Sequence, residues 1–195
     1  MKPAKLVVCI VLAVLLAACT SAEERKRDRE TATRGAMSYT ELGIEYYRQG
    51  KLELSRTKLE KALELDPDLP QAHGAIAVLY EKVGENKLAE KHYKKALRLN
   101  PDNAREQNNY GQFLCFQERY KEANEEFMKA AKNPFYAAPQ VPYTNAGLCA
   151  TRIPDPVEAE KYFRLALQID PKFAPALLQM AIAKFEAGRF LSARA

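Results

Sequence analysis

A spacing of 34 residues constrains this chain more than any other feature. Pro67 and Pro101 are 34 residues apart, and Pro171 follows 70 later, which is two further periods plus two residues. Aligned on that period, Gly43, Ala77, Gly111, Gly147 and Ala181 share one slot, and Ser55, Ala89, Ala123, Ala159 and Ala193 share another twelve residues on. A third slot holds Ala62, Ala96, Ala130 and Ala166. Large side chains fall beside the small ones: Leu42, Ile76 and Tyr110 just before the first slot, and Leu59, Tyr93, Phe127 and Phe163 four after the second. A chain that repeats small against large in this way folds as stacked copies of one unit, each burying its neighbour's face.

The residue types say what the unit is. Small side chains are needed where two helix backbones cross closely, because a branched Cβ there holds the axes apart. Proline lacks the N–H needed to continue a helix, so Asp66-Pro67, Asn100-Pro101 and Asp170-Pro171 read as stops. Gly50, Gly84 and Gly188 fall in the turns between paired helices, where a left-handed residue is useful. The pattern resembles the tetratricopeptide repeat. That resemblance implies an all-α chain, a right-handed superhelical solenoid of antiparallel helix pairs. The repeats then span 36–69, 70–103, 104–137 and 140–173, with an incomplete fifth over 174–195. The third is irregular: its proline, Pro134, comes one place early, and Ala138 and Pro139 are extra, so Asn133 to Pro142 is expected as an extended link. In the fourth turn, Arg152 to Pro156, prolines replace the glycine. Leu177, Leu178, Ile182 and Phe185 on the last helix have no following repeat here to cover them, so a partner or further chain is expected over them.

The amino terminus has a different composition. Lys2 and Lys5 precede an apolar run from Leu6 to Ala18, too short to span a bilayer as a helix but suited to an export signal. The run closes on Leu16-Ala17-Ala18-Cys19, which resembles the bacterial lipobox. The resemblance implies removal of residues 1–18 and acylation of Cys19, and Thr20 in place of Asp implies sorting to the outer membrane, facing the periplasm. The alternative is a plain secretory signal with a cysteine at its cleavage site. Several acyl chains anchor a protein far more firmly than one. Residues 19–35 carry four acidic and five basic side chains and no large apolar one, so a solvated, coil-like tether is expected.

Charge excludes little but points away from nucleic acid. Without Lys2 and Lys5, the 30 basic residues become 28 against 25 acidic, a net charge of +3. Catalysis needs a nucleophile or base with an orienting partner, and no lipase-type Gly-x-Ser-x-Gly, His-Glu-x-x-His or phosphate loop is present. His73 falls in a packing slot, and His92 lies among Lys91, Lys94 and Lys95 on what reads as a solvated face. Glu122, Glu125 and Glu126 read as surface ion-pairing residues. No enzyme activity, cofactor, metal or small-molecule substrate is expected. Cys115 and Cys149 fall late in the first helices of adjacent repeats, which pack side by side. In an oxidising compartment a disulfide is expected, the alternative being two buried free thiols.

A repeat array of this kind offers a binding surface lined by its first helices, at positions two, five, nine, twelve and thirteen of each repeat. The candidates are Thr40, Ile44 and Tyr47, then Gly74 and Val78, then Asn108 and Gln112, then Thr144 and Leu148, unless they merely pack between helices. Amide groups mixed with apolar patches suit an extended peptide or an amphipathic helix. Lipobox, charged tether, repeats and the cysteine pair together resemble the type IV pilus biogenesis lipoproteins of the PilW/PilF family. The most specific segments are Asn108 to Cys115 and Tyr143 to Cys149. The resemblance implies a pilotin that binds the pilus secretin, or another pilus assembly protein, and promotes its outer-membrane localisation or multimerisation. The alternative is an adaptor lipoprotein for another envelope complex, such as outer-membrane protein assembly or peptidoglycan enzymes.

Overall fold

The computed structural model describes the backbone of residues 3–153 and 156–192, and the side chains of 23–153 and 157–186. Among these there are nine helices and no strand: α1 (Pro3–Arg48), α2 (Leu52–Leu65), α3 (Pro70–Lys82), α4 (Asn86–Leu99), α5 (Ala104–Phe116), α6 (Tyr120–Lys132), α7 (Gln140–Ala150), α8 (Pro156–Ile169) and α9 (Ala174–Ser192). None is long and apolar enough to cross a membrane among the described residues. The chain divides into two compact units, the first running to Leu79 and the second from Tyr80 onward.

In the first unit α1 packs on α2. Ala36, Ala62, Leu69 and Ala72 form its buried cluster, edged by Tyr39, Leu63 and Leu65. The expected coil of the tether is corrected here: its residues are helical and continue into the first repeat. Alanine, glutamate, lysine and arginine are good helix formers, no proline lies between Thr20 and Arg34, and a helix already held by packing adds one hydrogen bond per residue at little cost. Residues 23–31 are exposed, and packing starts slightly before Ala36, since Thr33 Oγ1 donates to Asp66 Oδ2 at 2.7 Å.

In the second unit α5 pairs with α6 and α7 with α8, while α6 meets α7 and α8 meets α9. Small slots meet large ones. A Cβ built on Gly147 would lie 2.5 Å from the Phe163 ring, so only glycine permits that helix crossing. Tyr93, Phe113, Phe127 and Phe163 are among the largest fully buried side chains. Tyr93 also meets Tyr110 and Phe113 in tilted contacts, with ring centroids 5.6 and 5.5 Å away. Helices α2, α4 and α8 end at the residue before Asp66, Asn100 and Asp170. The Asp66 and Asp170 carboxylates then accept the backbone N–H two residues on.

Three expectations about local structure are corrected. The link is shorter than Asn133 to Pro142, because α7 starts at Gln140 and takes in Pro142, which costs nothing in a first turn whose N–H groups have no helical partner. Gly188 makes no turn and lies inside α9, which runs on to Ser192. His92 is half-buried rather than solvated, its ring 5.6 Å from that of Tyr80. The turn at Pro154 and Asp155 lies outside the described residues.

Gly50 and Gly84 have φ of 73° and 81°, as turns between paired helices require. One period later stands Glu118, at φ 61°. A left-handed conformation costs a non-glycine residue about 1–2 kcal/mol, of which glycine's greater freedom in the unfolded chain returns a part. Glu118→Gly is therefore expected to stabilise the protein by about 0.5–1 kcal/mol, read as a thermal midpoint a few degrees higher by circular dichroism. An unchanged or lower midpoint would show that the glutamate side chain offsets its own backbone strain.

Candidate protein-binding surface

The first helices of repeats three and four, α5 and α7, are neighbours in the second unit. Three side-chain contacts join them along their length. Near the start Asn145 Nδ2 donates to Asn108 Oδ1 at 2.8 Å. Further along, the sulfurs of Cys115 and Cys149 are bonded, with Cα atoms 5.9 Å apart. At the end, the Arg152 guanidinium lies 4.5 Å from the centroid of the Phe116 ring. Fixed positions for first-helix side chains are what a binding face needs, because ordering them on association then costs little entropy.

The nine expected surface residues divide by burial. Thr40 and Thr144 are each 3% exposed, and their hydroxyls donate within their own helices, to the carbonyls of Ala36 and Gln140 at 2.8 Å. Asn108 is 5% exposed, its carbonyl taken by Asn145, and Gly74 is buried. These four pack between helices, the alternative stated for this stripe. Ile44, Tyr47, Val78 and Gln112 are half-buried, and Leu148 is exposed. Cys19 has its side chain outside the described residues.

Two exposed residues at the right positions were not named from sequence. Phe116 is 57% exposed and Arg152 is exposed, and each occupies position thirteen of its repeat. The period was enough to find both. Glu106 was missed too. It is 7% exposed, its Oε2 has no hydrogen-bond partner, and burial pushes its carboxyl up to about 7, the nearby Arg105 charge offsetting only part of this. The aligned slot holds Ser38, Ala72 and Pro142, so a glutamate there was the available signal.

The remaining polar groups serve structure. His73 Nε2 lies 3.0 Å from the Pro67 carbonyl, which can only accept, so that nitrogen carries the proton. Arg119 bonds Glu90 at 2.7 Å and Glu122 at 2.6 Å, tying the α5–α6 turn to α4. Lys94 and Arg119 hold the Glu90 carboxyl at about 2. Among the described residues no group of three or more histidines, cysteines or acids is placed to hold a metal ion. A pocket of about 390 Å³ opens between α6, α7 and α8, over Cys149, Phe127 and Ile153.

Comparison with known proteins agrees with this architecture. Residues 43–84 match a TPR repeat family and residues 70–103 the tetratricopeptide repeat. The type IV pilus assembly protein PilF of Pseudomonas aeruginosa is 33% identical over 157 residues, covering 80% of this chain and 62% of that protein. This chain therefore spans less than two thirds of that relative. A solved structure of Pseudomonas aeruginosa PilF matches with a TM-score of 0.74 at 34% identity, over 85% of this chain and 73% of that one. The structure of PilW, a widely conserved type IV pilus biogenesis factor, matches with a TM-score of 0.73 at 32% identity, over 78% and 70%.

Proposed function

This chain belongs to the family of PilF and PilW, all-α tetratricopeptide-repeat proteins of type IV pilus biogenesis, and from that premise we propose that it acts as an outer-membrane pilotin. The identity with PilF along 80% of the chain carries this reading. In it, Cys19 bears the acyl chains, α1 links that anchor to the first repeat, and the repeats grip a segment of the pilus secretin. The lipid directs the pair to the outer membrane, where the secretin multimerises. No bond is made or broken. Binding energy and membrane affinity do the work, and two or more acyl chains make the anchoring durable. The same reading places the chain in an oxidising compartment, where the bond between Cys115 and Cys149 persists.

The test is capture of a tagged copy from membranes dissolved in mild detergent, with mass spectrometry of what co-elutes. A secretin is expected to be enriched. Cys19→Ser is expected to move the protein to the soluble fraction and to reduce secretin multimers. Enrichment of an outer-membrane assembly complex or of peptidoglycan enzymes, with no secretin, would turn the assignment to an adaptor of that machine. Normal multimers in the Cys19→Ser strain would remove the lipid from the mechanism.

A further inference from the structure

We infer that the shared face of α5 and α7 is the docking surface for an acidic, amphipathic protein segment. This deepens the pilotin reading and rests on it for the statement that the partner is a protein. Two independent features of the face lead to it.

The first is exposed apolar surface on a fixed frame. Phe116 is 57% and Leu148 is 38% exposed, and they lie on helices joined at Asn108–Asn145, Cys115–Cys149 and Phe116–Arg152. From Asn108 to Phe116 these contacts span about 12 Å of helix, so the frame is braced over two turns. The row continues on α9, which also contacts α7. There Leu178 and Ile182 occupy repeat positions five and nine, with exposures of 59% and 41%. Large side chains held in place but open to water lose little freedom when covered, and this is how interface anchors behave.

The second feature is charge. At positions two, five, six, nine, twelve and thirteen of repeats three and four the charged residues are Arg105, on α5, and Arg152, in the turn after α7, with no carboxylate. Both arginines are exposed. The whole chain carries 30 basic and 25 acidic residues, so this single sign is local to repeats three and four; on α9 the matching position thirteen holds the exposed Glu186. The Arg152 guanidinium sits over the Phe116 ring, 4.5 Å from its centroid, and its fork of N–H groups suits a planar acceptor such as a carboxylate. A partner that fits presents a row of aliphatic or aromatic side chains with aspartate or glutamate at its margin. Two arginines are too few for a polybasic lipid-binding patch, so an anionic membrane fits less well.

Fluorescence anisotropy of the full chain in mild detergent tests this with three labelled helical peptides of about 16 residues, enough for four turns. One carries leucine on one face and glutamate on the other, the second has lysine for every glutamate, and the third has serine for every leucine. The leucine–glutamate peptide is expected to bind at least about tenfold more tightly than either control. Arg152→Glu is expected to weaken it by a similar factor and to favour the lysine peptide, and Leu148→Ser to weaken both leucine peptides. Both side chains are exposed, and circular dichroism checks that the variants fold. Equal binding of the lysine peptide, or an unchanged affinity in the Arg152→Glu, Leu148→Ser double variant, would overturn the inference. So would binding to vesicles containing phosphatidylglycerol with none to the peptides. Secretin capture undiminished by the double variant would overturn this surface and leave the pilus reading intact. Peptide discrimination as expected, with no secretin captured, would do the reverse.

Discussion

Reduction of the Cys115–Cys149 bond is expected to lower the thermal midpoint by about 10 °C. The bond closes a loop between residues 34 apart. On the chain-entropy account, opening such a loop releases the unfolded state by up to about 3.5–4 kcal/mol. The effect should be concentrated in repeats three and four, because each repeat depends on its nearest neighbours for stability. Thermal melts with and without a thiol reductant measure it, with Cys115→Ala, Cys149→Ala as the control that reductant should not move. A wild-type midpoint indifferent to reductant would mean that the bond adds nothing to packing already sufficient. The peptide affinities should weaken along with it, since the face loses the middle of its three braces.

Glu106 gives the second large effect, with an unusual sign. Its carboxyl titrates near 7 in the folded protein against an ordinary 4.5, because ionisation would strand a charge among buried groups. Between those values the folded chain holds a proton that the unfolded chain has released. This residue's contribution is therefore full below pH 4.5 and is lost as pH rises to about 7, a change of about 3 kcal/mol. Most carboxylates act the other way; Glu90, held low by Lys94 and Arg119, loses its contribution as pH falls. Glu106→Gln keeps the shape without the ionisation. Urea denaturation is expected to find the variant more stable than wild type at pH 8, with the difference closing towards pH 4.5. A constant difference across that range would show that Glu106 finds a partner for its charge in the folded protein.

How far the sequence could be read depended on what each residue's role required. The helix pairs follow from the period, because a small residue facing a large one on the next helix is a local condition repeated, and Gly111 against Phe127 or Gly147 against Phe163 meets it each time. The proline stops were legible for the same reason, as backbone chemistry that no neighbour alters. The left-handed turn at Glu118 was hidden, since a glutamate carries no sign of positive φ and only alignment with Gly50 and Gly84 reveals it. The helical continuation of residues 20–35 was missed because composition reports solvation, and a charged segment can be solvated as a helix as readily as a coil.

The binding face divides along the same line. Position numbers pick out one side of each first helix, and the exposed Leu148 and the unnamed Phe116 and Arg152 fall at those positions. They could not say which polar residues on that side were already engaged. Thr40 and Thr144 donate to their own helices, and Asn108 is held by Asn145 from the next repeat, a partner 37 residues away. By itself, then, the sequence determined the repeat, its helices and most of its turns, because these rest on backbone geometry and on contacts at one fixed spacing. Tertiary structure alone decided which side chains stay open to a partner and where a carboxyl is stranded. Burial and hydrogen bonding depend on what other helices bring to the same place.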